Sequence, residues 1–218
     1  NKEEYTSIWL CSDTKLTSCE TTLLNSAAKI FTVPVKIYAP DNTGLFQKIY
    51  YSSEIGFGYA GSSLVSLNTL SVLTTYLSNL GIIEGQPPSM KQIGQFAKDI
   101  LESYDRELGD TQGYAANAEI VITGYCPQEN DFVICHIGPS SPEGPFPYEV
   151  SSFSSQTTNE EHILQLGDKK SEIRFEIDEY RRTAKNFLYW WRAPANVIHT
   201  CTIENSYDTI GGSLQLGI

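Results

Sequence analysis

The stretch that most constrains the fold is residues 51–80, YSSEIGFGYAGSSLVSLNTLSVLTTYLSNL. It begins as an apolar, strand-like run, turns at Gly61 and continues with leucines at steps of three or four residues, which is the spacing of one helix face. These leucines are Leu64, Leu67, Leu70, Leu73, Leu77 and Leu80. Ser62 is a suitable N-cap and Gly81 a suitable helix stop. The pattern therefore predicts a strand that enters a helix through a tight turn.

Two roles are open for this turn. It can be a plain strand-to-helix connection that uses small residues for close packing. Its backbone N–H groups can also point into open space beside the strand end, an arrangement that suits an oxyanion or a carbonyl oxygen. The residue pattern alone leaves both roles open.

Hydrophobic periodicity predicts the remaining elements. Strands are expected at 5–12, 29–31, 33–38, 46–51, 118–125, 131–137, 148–153, 197–203 and 213–218, and helices at about 89–108 and 169–182. Pro34 lacks the N–H needed inside a sheet, so it is expected at an edge or a bulge. Ser89 is expected to cap the second helix and Gly109 to end it.

Strands and helices that follow one another without strict alternation predict an α+β class. The order fits a four-layer αββα sandwich, in which two packed antiparallel sheets are flanked by helix pairs. A length of 218 residues is ordinary for one domain, so a single domain over 1–218 is expected.

Composition excludes several classes of function. A net charge of −11 with no cluster of Lys and Arg argues against nucleic acid as a partner. No apolar run is long enough to cross a bilayer, and residues 1–9 do not form a signal peptide. We therefore expect no membrane partner and a soluble, cytoplasmic protein.

Cysteine and histidine spacing predicts no metal site and no cofactor. The 5 cysteines are odd in number and scattered, so they form neither a disulfide framework nor a zinc motif. Cys11, Cys135 and Cys201 lie in apolar runs, where thiols behave as small hydrophobic side chains. The histidines show neither metal-type nor triad spacing.

Short motifs follow one another along nearly the whole chain. They are IWLCSDTKLT at 8–17, KI at 29–30, IGFGYAGS at 55–62, LGD at 166–168 and DTIGGSLQL at 208–216. In this order they resemble motifs of the proteasome-like branch of the N-terminal-nucleophile hydrolases. That branch includes the proteasome β subunits and the bacterial proteasome-like peptidases. The resemblance implies the αββα sandwich and an amide-bond hydrolase.

The resemblance also implies roles for individual residues. In that family an N-terminal Thr, Ser or Cys attacks the substrate, and its own α-amino group, which titrates near pH 8, serves as the base. Asp13 would hold Lys29, whose charge favours the nucleophile, and the Gly61 N–H would bind the oxyanion. A structural ion pair is the alternative for Asp13 and Lys29. Lys48 is the alternative to Lys29, because it lies closer to Gly61 in sequence.

The chain also departs from the family pattern. Asn1 has neither a hydroxyl nor a thiol, so either the nucleophile and a first strand lie upstream of residue 1 or the site is inactive. Asp168 and Asp208 are counted with Asp13, Lys29 and Gly61 as candidate catalytic residues. The family, however, places serines near the terminal site where this chain has Asp168 and, close to Asp208, Ile210. These changes weaken the case for catalysis.

The leading interpretation is a threonine-type peptidase or amidohydrolase subunit that acts on peptide or amide bonds and assembles with copies of itself into a ring or stack. The alternative is a catalytically inactive structural or regulatory ring subunit. A hydrolase of small amides on the same fold is a third interpretation. The aromatic cluster FLYWW at 187–191 is expected either in the core or at a subunit contact.

Overall fold

A computed structural model describes residues 7–18, 21–112, 117–141, 144–158 and 162–217. The first part of the strand expected at 5–12 and the side chain of Cys19 lie outside these ranges. The strands are β1 (Leu10–Asp13), β2 (Leu16–Ser18), β3 (Thr21–Leu24), β4 (Ile30–Pro40), β5 (Phe46–Gly61), β6 (Leu80–Gly81), β7 (Ala118–Cys126), β8 (Asp131–Ser141), β9 (Gly144–Ser154) and β10 (Leu214–Gly217). The helices are α1 (Ser63–Leu77), α2 (Met90–Gln112), α3 (Lys170–Arg182), α4 (Phe187–Trp191) and α5 (Ala193–Glu204).

The chain forms two compact units. Unit 1 contains Asn1–Ile8 and Thr32–Leu164, and unit 2 contains Trp9–Phe31 and Gln165–Ile218. Each unit combines strands and helices, so the predicted α+β class is confirmed. The four-layer sandwich and the single domain stay predictions.

Unit 1 is built on a sheet with the strand order β6-β4-β5-β7-β8-β9. β5, β7, β8 and β9 pair antiparallel in succession, whereas β6 pairs with β4 in parallel. The predicted hairpin of β7 and β8 is confirmed. β6 pairs with Ile37 and Tyr38 of β4. The expectation that Pro34 lies at an edge or a bulge stays a prediction.

The first helix is shorter than predicted. Ser62 caps α1 by accepting from the Val65 N–H, but the helix ends at Leu77, and Gly81 belongs to β6. Leu80 is withdrawn from the helix because it pairs with Ile37 of β4. The predicted leucine face is only partly correct, since the buried residues are Val65, Ser66, Thr69, Leu73 and Leu77. Leu64 and Leu67 are exposed.

The second helix begins where the sequence predicts and runs further. The Ser89 N–H donates to Gln92 Oε1 (2.8 Å) and the Gln92 N–H donates to Ser89 Oγ (3.2 Å), which is a reciprocal capping box. Gly109 does not end the helix, contrary to the prediction, because α2 continues to Gln112. A Cβ atom added at Gly94 would lie 3.2 Å from both Cys135 Cβ and Val150 Cγ1, so α2 runs close against β8 and β9.

Unit 2 contains two small antiparallel pairs of strands and the last three helices. β1 pairs with β10, and β2 pairs with β3. α3 occupies almost exactly the range predicted for the third helix. The strand predicted at 197–203 is wrong, because these residues lie in α5. Pro194 in its first turn and burial of Ala193, Val197 and Cys201 at steps of four favour a helix over a strand.

The aromatic cluster lies in α4, which has no buried residue. The core position expected as one alternative is therefore wrong, and the subunit contact stays a prediction. The Arg181 guanidinium carbon lies 3.8 Å from the Trp190 ring centroid, a cation–π contact. Among the described residues, no helix combines the length and the apolar character required to cross a bilayer.

Candidate active site

The carboxylate of Asp13 lies at the end of β1 in unit 2 and is fully engaged. Its Oδ1 accepts from Lys29 Nζ at 2.7 Å. Its Oδ2 accepts from the backbone N–H groups of Lys15 and Gly211, both at 3.1 Å. The side chains of Lys29 and Asp13 are only 13% and 12% exposed, so the ion pair is largely shielded from water.

The backbone of Lys29 is held by Gln215 of β10. Gln215 Oε1 accepts from the N–H groups of Lys29 (2.8 Å) and Ile30 (3.1 Å), and its Nε2 donates to the Ile30 carbonyl (2.7 Å). β10 is in turn paired with β1, where Ser12 lies opposite Gln215. Sequence reasoning missed Gln215, although it lies within the motif at 208–216.

The loop after β1 is fixed by Thr14, a second residue that sequence reasoning missed. Its Oγ1 donates to the Asn25 carbonyl (2.7 Å) and accepts from the Ser213 N–H (2.8 Å). Its own N–H donates to the Gly211 carbonyl (3.2 Å). Gly211 therefore contacts both Asp13 and Thr14, which orients the carboxylate toward Lys29.

Asp168 and Asp208 lie in two loops of unit 2 that are in contact. Asp168 Oδ2 accepts from Thr209 Oγ1 at 2.8 Å, and both aspartates are exposed. The loop that carries Asp208 thus reaches Asp168 through Thr209 and Asp13 through Gly211. The catalytic roles assigned to the two aspartates stay predictions.

Gly61 lies in unit 1, at the last position of the β5–β7 ladder, opposite Ala118. Its φ is +85°, and an added Cβ atom would lie 2.5 Å from the Asn117 carbonyl oxygen, so only glycine fits. The next N–H, that of Ser62, donates to the same carbonyl at 2.8 Å and is not available to a ligand. The proposed donation from Gly61 to an oxyanion stays a prediction.

Of the two lysines that the sequence left open, Lys29 is the one paired with Asp13. Lys48 is exposed on β5 in unit 1. Lys29 Nζ carries three donors and, within the described part of the chain, hydrogen-bonds only to Asp13, so it can also donate to a further acceptor. An ammonium group held in this way can stabilise a neighbouring anion or a deprotonated nucleophile.

Three of the thiols, those of Cys11, Cys135 and Cys201, are poor nucleophiles. Burial raises the pKa of Cys11 to about 11 and that of Cys135 to about 12. Burial and the Glu176 carboxylate together raise the pKa of Cys201 to about 11. These thiols are protonated at neutral pH, whereas the thiolate is the reactive form. No cluster of His, Cys, Asp and Glu side chains suited to a metal ion occurs in the described ranges.

No protein-family model matches the chain, and no curated protein is significantly similar to it in sequence. In contrast to these sequence comparisons, a comparison of folds finds similar solved structures. The fold resembles Anbu. The Anbu complex from Pseudomonas aeruginosa, described as a helical assembly, superposes with a TM-score of 0.59 at 14% identity, over 96% of this chain and 75% of that one.

Other Anbu structures give the same result. Anbu (ancestral beta-subunit) from Yersinia bercovieri has a TM-score of 0.53 at 12% identity, and Anbu from Hyphomicrobium sp. strain MC1 has 0.55 at 13%. Each match covers 95% of this chain and 75% of the other. At such identities the likeness establishes the fold alone.

The Anbu matches correct the resemblance drawn from the motifs. The sequence pointed to proteasome β subunits and bacterial proteasome-like peptidases, whereas Anbu proteins are proteasome-like but form a distinct family. The assignment to that branch is therefore wrong. Each motif is only two to ten residues long, and such fragments reflect strand ends and turns of a shared fold more than membership of one family.

Proposed function

We propose that this chain is an amide-bond hydrolase subunit of Anbu-like fold that uses an N-terminal nucleophile. The observation that carries the proposal is the shielded Asp13–Lys29 pair, with Asp13 fixed by two backbone N–H groups and Lys29 by Gln215. An ammonium group paired with a carboxylate is a local positive charge, and such a charge lowers the pKa of a neighbouring hydroxyl or amine.

In the proposed reaction a terminal Thr, Ser or Cys attacks the carbonyl carbon of a peptide or amide bond. The terminal α-amino group takes the proton from the hydroxyl or thiol and later passes it to the leaving amine. Water then attacks the acyl intermediate with the same amino group as base, which releases the carboxylic acid and restores the nucleophile. Lys29 stabilises the developing negative charge of the nucleophile. Asn1 cannot act as the nucleophile, so the proposal requires a threonine, as favoured here, or another such residue upstream of it.

Assembly is the second part of the proposal. The helical assembly of the Pseudomonas aeruginosa Anbu complex supports homo-oligomers of this chain as well. The four-layer sandwich formed by a single domain over 1–218 is proposed on the same comparison, since one superposition covers 96% of the chain.

A non-catalytic assembly subunit is the second candidate function. The Asp13 carboxylate favours this role, because it links the end of β1 to the loop that contains Gly211. That link stabilises the structure whether or not a nucleophile is present. Burial of Ile210, where a hydroxyl would otherwise help a terminal site, points in the same direction.

The test begins with the mature N-terminus of the full-length protein purified from its native source. Mass spectrometry should find Thr, Ser or Cys at that terminus, and an epoxyketone should add to it. Turnover of a panel of fluorogenic peptides and small amides should accompany the adduct. A terminus without hydroxyl or thiol, together with no turnover, would leave the assembly role as the function.

The lysine variants then test the mechanism. Lys29→Met should lower turnover by at least about 100-fold, the usual worth of a positioned acid–base or charged group. Lys48→Met, which removes an exposed lysine, should leave turnover unchanged and is the matched control. Lys29→Arg keeps the charge beside Asp13 and guards against a loss that is due only to unfolding. Equal turnover in Lys29→Met and wild type would contradict the mechanism.

A further inference from the structure

Residues 55–83 contain no charged side chain, although 19% of the whole chain is charged. This run includes the whole of α1, a helix of 15 residues. Surface helices of soluble proteins normally carry charges on their outer face. α1 has an outer face but places no charge on it.

The outer face of α1 is a continuous stripe. Leu64 is 49% exposed and Leu67 is 40% exposed. Asn68, Ser71 and Thr75 are also exposed and continue the stripe at helical spacing. We call these five residues the α1 stripe.

Polar side chains at the α1 stripe hydrogen-bond to their own helix. Asn68 Nδ2 donates to the Leu64 carbonyl (2.7 Å), and Thr75 Oγ1 donates to the Ser71 carbonyl (2.9 Å). Just beyond the helix, Asn79 Nδ2 donates to the Thr75 carbonyl (2.8 Å). Because these donors already have partners, covering the stripe removes fewer bonds to water than polar side chains usually require.

A shallow groove of about 330 Å³ lies beside the stripe and is lined by Val72, Asp99, Ile100, Ser103 and Tyr104. Its only charged lining residue is Asp99, whose Oδ1 accepts from Gln95 Nε2 at 2.8 Å on the same helix. The groove is otherwise suited to an apolar side chain from another molecule.

We propose that the α1 stripe is a self-association surface, on which α1 of a second copy packs antiparallel across a two-fold axis near Ser71. Copies of a chain with a net charge of −11 repel one another, and they can approach most closely through a face without carboxylates. A basic partner would instead be drawn to the acidic surface elsewhere. Depletion of charge is typical of interface cores, and a two-fold contact brings the same patch of both copies together.

In this arrangement Leu64 and Leu67 of each copy cover the stripe and enter the groove of the other. The inference rests on the homo-oligomeric part of the proposed function and does not depend on hydrolysis. Its tests therefore measure mass and cross-linking without any substrate.

Leu67→Asp is the first test, because it places two carboxylates near the two-fold axis. Light scattering coupled to size-exclusion chromatography should show the dissociation constant of the contact rising at least tenfold. Phe175→Asp, which changes an exposed aromatic residue of α3, should leave the mass unchanged. Circular dichroism checks that both variants are folded. A folded Leu67→Asp variant with wild-type mass would overturn the proposal, as would a wild type that is monomeric throughout.

Ser71→Cys is the second test and changes the surface very little. Mild oxidation should join two copies through Cys residues at this position, and the yield should exceed that of wild type and of Ser206→Cys, an exposed control in unit 2. Absence of the cross-link would overturn the two-fold arrangement. Association of monomers with neutral lipid vesicles that is lost in Leu67→Asp would assign the stripe to a membrane surface and also overturn the proposal.

Discussion

A Cβ atom added at Gly212 would lie 2.1 Å from the Asn25 carbonyl oxygen and 2.5 Å from Thr14 Oγ1. The φ of Gly212 is +78°, which already disfavours a side chain. Gly212→Ala should therefore lower the free energy of unfolding by about 2–5 kcal/mol, from the left-handed backbone and the clash together. Urea denaturation measures the change.

Gly44 is the matched control for this substitution. Its φ is +84°, close to that of Gly212, but an added Cβ atom would meet nothing within 4 Å. Gly44→Ala should lower the free energy of unfolding by only about 1–2 kcal/mol, the cost of a left-handed backbone for a residue with a side chain. Equal losses in the two variants would show that the contact with Asn25 and Thr14 does not constrain the loop.

Asp105 of α2 is 1% exposed, and neither of its carboxylate oxygens has a hydrogen bond of ordinary geometry to a described residue. Burial raises the pKa of Asp105, and the neighbouring Tyr148 hydroxyl offsets only part of the rise. Because the pKa is higher in the folded than in the unfolded chain, the folded state loses stability as pH rises from about 4 through the folded-state pKa.

Asp105→Asn should consequently stabilise the protein at pH 7, because asparagine fills the same buried position without a charge. The advantage should shrink as pH falls toward 4, where the native carboxyl is protonated. Thermal unfolding of both proteins at several pH values measures this. Asp99→Asn, an exposed change on the same helix, is the control. A destabilising Asp105→Asn at pH 7 would show that the carboxylate has a partner.

The Asp13–Lys29 pairing could be predicted because the resemblance drawn from the motifs places a lysine beside this aspartate. Gln215 and Thr14 could not, since their partners are backbone groups of residues far away in sequence. Every residue has a backbone, so a side chain whose partners are backbone groups cannot be matched to a partner by residue type.

At the scale of elements, the capping box of α2 makes a direct prediction. Ser89→Ala removes the acceptor for the Gln92 N–H and should lower the free energy of unfolding by about 1 kcal/mol. Ser103→Ala, an exposed change within α2, should have a much smaller effect. Chemical denaturation compares the two variants, and equal effects would contradict the role of the cap.

Element type was predictable where one pattern dominated, as in the β7–β8 hairpin and in α3. It failed at 197–203, where the run VIHTCTI is rich in β-branched residues that favour a strand. A helix forms there nevertheless, with Pro194 in its first turn and with Ala193, Val197 and Cys201 buried at steps of four residues. The end of α1 was missed because pairing of Leu80 with β4 is a tertiary effect.

At the scale of the whole molecule, the net charge of −11 should oppose assembly. Raising the salt concentration from about 0.05 M to about 0.5 M screens this repulsion and should strengthen self-association. Light scattering at the two salt concentrations measures the effect. Weaker association at high salt would show that ion pairs between copies dominate the contact.

The α+β class was within reach of the sequence because it follows from the order of the elements. The family was not, because the motifs that suggested it are short fragments distributed over a fold that resembles Anbu. When short fragments occur in the same order in two proteins, this is stronger evidence for a shared topology than for membership of one family.

The amide of Gln215 has one further consequence. Its oxygen accepts from two backbone N–H groups, and its nitrogen donates to a backbone carbonyl. The side-chain amide therefore takes the place of a backbone peptide group and links β10 to the start of β4. Glutamate has no donor for that carbonyl, and asparagine has a shorter reach. The side chain of Gln215 thus fixes the backbone position of Lys29 in the way that a neighbouring strand would.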